Sequence, residues 1–356
     1  MVAAVDLMPL GLSTRTLTTT FLIALTASGF YYYQYKMPSL SSIRASNAAA
    51  LGSTPYLPTA VFVGGTAGIG QGIAESFAHH TKGNARIFIL GRNRQAAESI
   101  IASFPKPSSP EAKYEFIECD ASLMKNVQRA TKELVTQHGV EKINYLVMSQ
   151  GFLSTNGFTD AGEGLDKKLA VHYYSKYKFI EGLLPQLLKA KEDGEDAKVI
   201  SVLSAGKGLS RIDRDDLGLK KTFSVRKASA EGPAYNDLMV EEFAERYPTL
   251  TFGHAFPGIV RTSIASSPTL SPWMKIGMKT AMGLLYPLSV SQRECGEYLL
   301  HGLLTTMKTP GAYRISNVGA DYDSDKKKNG KEWRASEEDR KALWEHTVEV
   351  TKVKDT

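Results

Sequence analysis

The sequence predicts an α/β domain built on a doubly wound parallel sheet, and three observations predict it. Short apolar runs alternate with amphipathic stretches from Thr59 onward, most runs are apolar enough to be buried on both faces, and a glycine-rich turn joins the first run to the first helical stretch. Such alternation places a parallel sheet between two helical layers, and right-handed crossovers leave one sensible winding. A chain of 356 residues, 42% of them hydrophobic, is long enough for one such domain with appendages.

TAVFV at 59–63 and RIFIL at 86–90 read as the first two strands, and YEFIE at 114–118, which alternates, as the third. INYLVMS at 143–149, AKVISVLS at 197–204, LTFGHAF at 250–256 and AYRISNV at 312–318 complete a set of seven. Between them, stretches such as GIAESFAHH, MKNVQRATKELVTQHG and VHYYSKYKFIEGLLPQLLKAKE carry helical periodicity. The domain is expected over 58–320, with an extension at 1–57 before it and a polar loop and C-terminal helix at 321–356 after it.

Within the extension, residues 37–55 have the composition of a Ser/Ala-rich linker. Residues 16–35 form an uncharged stretch long enough to span a bilayer, although its threonines lower its hydrophobicity. Two readings stay open: a membrane anchor that leaves the domain facing the cytoplasm, or a dispensable leader on a cytoplasmic protein. The net charge of +6 is spread among interleaved acids, and its densest run, Lys326-Lys327-Lys328, sits in a polar stretch without aromatics. A solvated loop accounts for it, so no nucleic-acid partner is expected. Cys119 and Cys295 are far apart and lack metal-ligand spacing, so neither a disulfide framework nor a metal site is expected.

The first strand runs into VGGTAGIGQGIAESF, which sets Gly64, Gly68 and Gly70 before a helix. Glycines there let the backbone turn tightly and approach a pyrophosphate, whose charge meets the helix N-terminus. The spacing resembles that of the short-chain dehydrogenase/reductase family, a Rossmann-fold family, and the resemblance spans about residues 58–320. It implies that Gly64, Thr66, Gly68, Ile69 and Gly70 cradle a nicotinamide dinucleotide and that Asp120 binds its adenine. It likewise implies that Gln150 and Gly151 stand where the family has Ala-Gly of an Asn-Ala-Gly motif, and that Val260 and Thr262 hold the nicotinamide carboxamide. The second strand ends in ILGRNR, where an enzyme selective for NAD has an acid; Arg92 and Arg94 suit a 2′-phosphate instead, so NADP(H) is the expected cofactor.

In that family a tyrosine exchanges a proton with the substrate oxygen, a lysine one helical turn later lowers its pKa and holds the ribose, and a serine polarises the carbonyl. The resemblance maps the serine to Ser204, the lysine to Lys227, the supporting asparagine to His172 and the tyrosine to Phe223, which has no proton to give. Tyr235 is an alternative acid only if Gly232-Pro233 breaks the helix; within one helix it lies about 12 Å from Lys227 along the axis. His172 is the other candidate for moving a proton, against the plainer reading of a packed helix histidine.

Residues 262–290 fall where the family has its substrate lid, and their methionines and aromatics suit a bulky apolar ligand or, equally, packing on the body or a membrane surface. The expectation is an NADP(H)-dependent oxidoreductase acting on a hydroxyl or carbonyl of a hydrophobic small molecule, similar to a fungal branch associated with secondary metabolism. The rival is an NADPH-binding or sensing protein of the same fold that does not turn over. A homo-oligomer is compatible with the resemblance, and nothing in the sequence selects one.

Overall fold

A computed structural model describes residues 37–209, 211–263, 270–324 and 336–353. The stretch at 16–35 and the lysine run at 326–328 lie outside the described residues. Among those described, no helix is long and apolar enough to cross a membrane.

All seven expected strands form. They are β1 (Thr59–Val63), β2 (Arg86–Gly91), β3 (Lys113–Glu118), β4 (Tyr145–Met148), β5 (Lys198–Val202), β6 (Thr251–Ala255) and β9 (Gly311–Ile315), and a two-residue pair, β7 (Val260–Arg261) with β8 (Val290–Ser291), lies apart. The main sheet runs in the order β3-β2-β1-β4-β5-β6-β9, and every neighbouring pair is parallel. Its helices are α2 (Gly68–His80), α3 (Arg94–Ala102), α4 (Met124–Thr136), α5 (Ser175–Glu192), α6 (Val225–Arg246) and α8 (Gln292–His301), with α7 (Pro272–Leu284) between β7 and β8 and α9 (Glu337–Val350) near the C-terminus.

Period-two alternation divides the core between the two faces of the sheet. Val61, Val63, Phe88, Leu90, Leu146 and Met148 point to the face covered by α4, α5 and α6. Ala60, Phe62, Ile87, Ile89, Tyr145 and Val147 point to the face covered by α2 and α8. Both sets are buried, which is why the strand runs are continuously apolar. Each large apolar side chain so buried contributes about 1.5–3 kcal/mol.

One element was misread in the sequence. Residues 37–55 are not a linker throughout, because Leu40–Gly52 forms helix α1. Ile43, Asn47 and Leu51, four residues apart, make a buried stripe, and Asn47 Nδ2 donates to the backbone and side chain of Glu297 on α8. A small-residue composition hid this stripe, because one of its three anchors is an asparagine.

The carboxyl ends of β1 and β4 meet where the winding reverses, the crevice in which open parallel sheets bind their ligands.

Candidate functional site

The turn after β1 is shaped by close approach. Gly64 has φ of 79° and Gly68 of 60°, the left-handed region that favours glycine. A Cβ on Gly64 would stand 2.6 Å from the Gln150 amide nitrogen, and one on Gly70 would stand 2.1 Å from Ser149 Oγ. The β1 and β4 ends therefore touch backbone to backbone. Helix α2 opens from an extended Ala67 with no side-chain cap and no acid in its first turn. Its first amides and the positive end of its dipole are left for an anion.

A cavity of about 460 Å³ adjoins this turn; its lining includes Gly64, Thr66, Ala67, Arg92, Asp120, Gln150, Gly151, Phe152 and Lys168. Arg92 is exposed at the end of β2, while Arg94 does not line the cavity and instead lies over the Phe116 ring at 4.9 Å. Burial alone would raise the Asp120 carboxyl pKa, but the Ser122 amide and hydroxyl and the Arg92 charge outweigh it and hold it below its ordinary value. Asp120 is thus an anion beside Arg92. Gln150 donates Nε2 to Ser175 Oγ at 3.1 Å, and its buried Oε1 has no partner among the described residues. Ile69 packs partly buried beneath the turn. Val260 pairs with Val290, and Thr262 lies about one methyl contact from Gly68, 3.5 Å from where a Cβ would be. A bare helix start, a glycine cradle, an orphaned buried amide oxygen and an arginine at the far wall fit a nicotinamide dinucleotide.

The predicted proton-transfer residues do not assemble in the same way. Helix α6 starts at Val225, capped by the Ser224 hydroxyl, which accepts from the Lys227 amide. Phe223 therefore precedes the helix and cannot be the aromatic one helical turn before a lysine. Its ring packs edge-on against Phe158 at 5.8 Å, with the Lys168 ammonium 4.9 Å above it. Lys227 does not line the cavity. Its ammonium donates to Asp213 Oδ2 at 2.8 Å and Thr222 Oγ1 at 2.5 Å, and the Asp213 bond raises its pKa. The expected ribose-holding lysine is a surface ion pair.

Tyr235 is no substitute. Helix α6 runs through Pro233 without a break, because residues on both sides of the proline are buried and their packing outweighs one lost hydrogen bond. Tyr235 faces the core, fully buried against the Tyr173 ring at 5.1 Å. Burial drives its phenol above the ordinary range, and the nearby Glu231 adds to this.

His172 sits in a π-helical turn, Ala170–Tyr174, immediately before α5. Its Nε2 accepts from the Phe152 amide at 3.1 Å, so a neutral ring carries its proton on Nδ1. Burial, with Lys176 nearby, pulls its pKa down to about 4. A neutral imidazole fixed by Nε2 holds the Gly151-Phe152 wall of the cavity and has no acid proton to spare at neutral pH.

Ser204 follows β5, half-buried, and like Lys227 it is not among the residues that line the cavity. Its backbone is held by residues the sequence reading did not single out. The Ser204 amide donates to His254 Nε2 at 3.2 Å, His254 Nδ1 meets Asp237 Oδ1 at 2.6 Å, and the second Asp237 oxygen accepts from the Gly206 amide at 3.0 Å. His254 accepts at Nε2 and so donates from Nδ1; burial lowers its pKa by more than Asp237 raises it. Beside this clamp Lys176, fully buried, donates to Ser201 Oγ at 3.0 Å and to the Val202 carbonyl at 2.8 Å. Burial brings its pKa down to about 7. Ser201 Oγ donates to Asn236 Oδ1 at 2.6 Å, and Asn236 Nδ2 donates to the His172 carbonyl at 2.9 Å. The available signal was polarity out of place: a histidine within the buried run of β6 and a lysine within a helix that packs on the sheet each need a buried partner.

Comparison with known proteins adds ancestry to this geometry. The sequence profile of a family described as short chain dehydrogenase matches residues 58–211. An oxidoreductase of Emericella nidulans is 34% identical over 266 residues, which cover 74% of this chain and 77% of the relative. An oxidoreductase of Emericella variicolor is 31% identical over 278 residues, covering 78% of this chain and 77% of the relative. An NADPH-bound carbonyl reductase from chicken fatty liver superimposes with a TM-score of 0.52 at 16% identity, covering 74% of this chain and 98% of that one, a likeness of fold.

Proposed function

The chain belongs to the short-chain dehydrogenase/reductase family, and from that premise we propose that it is an NADP(H)-dependent oxidoreductase interconverting a hydroxyl and a carbonyl on a hydrophobic small molecule, in secondary metabolism. As a short-chain oxidoreductase it takes a nicotinamide dinucleotide; the phosphorylated form is our reading. The observation that carries it is Arg92 on the cavity wall at the end of β2, where an acid would instead accept a ribose hydroxyl. A guanidinium there pairs with a 2′-phosphate. When bound, the nicotinamide supplies or accepts the hydride.

The residues of the chain divide the remaining work. The amides at the start of α2 bind the diphosphate, with the left-handed Gly64 and Gly68 allowing the approach. The Ser204 hydroxyl polarises the substrate oxygen, and the His254–Asp237 clamp keeps its backbone in place. With Phe223, Lys227 and Tyr235 all engaged elsewhere, the proton that accompanies the hydride comes from water at Ser204. Loss of a positioned acid costs about 10²–10⁴-fold, so slow turnover is expected. The half-buried Met278 and Met282 of α7 suit an adaptable apolar wall for the substrate. Secondary metabolism is supported by the kinship with fungal oxidoreductases.

A second reading has its own support. Among the described residues no tyrosine stands beside a lysine at the cavity, which favours a protein that binds NADPH without turning it over. Steady-state oxidation of NADPH and NADH over a panel of apolar ketones separates the two. Turnover that prefers NADPH, with the preference reduced about tenfold or more by Arg92→Ala, supports the enzyme. Equal use of both cofactors by the unaltered protein sinks the NADP(H) assignment, and tight binding with no turnover on any ketone supports the second reading.

A further inference from the structure

Helix α7 has no buried residue along its 13 positions. At 3.6 residues per turn, Trp273, Ile276 and Leu284 project within an arc of about 80°, while Met278 and Met282 project on the opposite side. The methionines are half-buried. Trp273 is 82%, Ile276 56% and Leu284 79% exposed, and Tyr286 beyond the helix end is also exposed. Large apolar side chains gathered on one exposed side of a helix that buries none of its residues are not explained by the fold.

The charges of the same segment point to what covers that face. From Arg261 to Arg293 there is no aspartate or glutamate, and the charged residues are Arg261, Lys275, Lys279 and Arg293. Arg261 is engaged with the Ser289 carbonyl and Glu294 and Arg293 belongs to α8, so the charges of α7 itself are Lys275 and Lys279, at i and i+4, which project about 140° and about 100° from the middle of the apolar arc, both on one side of it. A second copy docked through this face would bring the lysines of both chains together with no carboxylate in the segment to answer them. Headgroups of an anionic bilayer answer them directly, and tryptophan and tyrosine beside lysines are suited to that depth.

We propose that α7 lies in the interface of an anionic lipid bilayer, with Trp273, Ile276 and Leu284 inserted and Lys275 and Lys279 on the headgroups. The proposal does not depend on the cofactor or on the reaction. It also does not depend on residues 16–35, whose own membrane affinity the experiment must separate.

The test uses the full chain, vesicles of phosphatidylcholine with or without phosphatidylserine, and acyl chains carrying bromine, which quenches tryptophan on contact. The chain has three tryptophans, so the difference between it and Trp273→Phe isolates the lid. Expected is quenching on the serine-lipid vesicles that Trp273→Phe removes. Lys275→Gln with Lys279→Gln should demand about 30-fold more anionic lipid for the same Trp273-dependent signal, at about fivefold per lysine. Equal quenching in the chain and in Trp273→Phe would place the contact elsewhere and overturn the proposal. So would a signal indifferent to serine lipid and to both lysines, or no signal together with a self-association that Ile276→Ser and Leu284→Ser abolish in sedimentation.

Discussion

At the carboxyl end of β1 the chain is held by glycines, where an added Cβ on Gly70 would fall 2.1 Å from Ser149 Oγ. At the carboxyl end of β5 it is held by side chains, His254 bonded to the Ser204 amide and Asp237 bonded to His254 and to Gly206. The first arrangement tolerates almost no substitution, because backbone meets backbone. The second specifies partners and geometry but can be rebuilt with different residues. The glycine turn is thus legible as a spacing, while the contacts around Ser204 are ones that no spacing records.

Five perturbations would break or sharpen this contrast. Gly70→Val should have the largest effect, lowering NADPH affinity by at least about 100-fold in a fluorescence titration, since the new side chain overlaps both Ser149 and Gly64. Retained affinity would show that the turn is not a cradle. Next comes His254→Ala, which strands the buried Asp237 carboxylate and the Ser204 amide. It should cost about 3–5 kcal/mol in denaturant unfolding and lower turnover more than cofactor affinity. An equal loss of both would make the clamp merely structural.

Lys176→Met tests the same region through pH. The folded-state pKa of Lys176 is depressed to about 7 by burial, so between that value and the ordinary lysine value the unfolded chain binds more protons. Its contribution to stability therefore rises as pH rises from about 7 to 10 and falls as pH is lowered through that range. Thermal melts of the variant should lose that part of the slope. Glu231 works in the opposite sense, since burial raises its pKa to about 7. Its contribution is present below the ordinary carboxylate pKa and is lost as pH rises towards 7, and Glu231→Gln should remove this trend. The smallest effect belongs to Lys227→Ala, which breaks a partly exposed pair with Asp213. Melting temperature and NADPH affinity should both stay nearly unchanged; a large loss of affinity would restore Lys227 to the site.

How much of this was legible beforehand follows the same division. Seven strands and the cradle could be read, because doubly buried strands must be apolar and a turn against a diphosphate must be glycine. Arg92 followed from its place at the end of the second strand, and Asp120, Gln150 and Gly151 from the family resemblance; all four line the cavity. Helix α1 was missed because its stripe includes Asn47, whose burial makes sense only once Glu297 is beside it. Lys227 misled because a lysine four residues after an aromatic was read as one helix face, whereas the Ser224 cap starts the helix between them. His254 and Asp237 stand 17 residues apart in sequence, and only the packing of α6 on β6 makes them a pair.

The account rests most directly on a titration of the full chain with NADPH and NADH, followed by tryptophan emission. Saturable binding of NADPH, tighter than that of NADH and lost in Gly70→Val while the circular dichroism spectrum is kept, is the predicted result. Absence of binding for both nucleotides by the unaltered protein would contradict it.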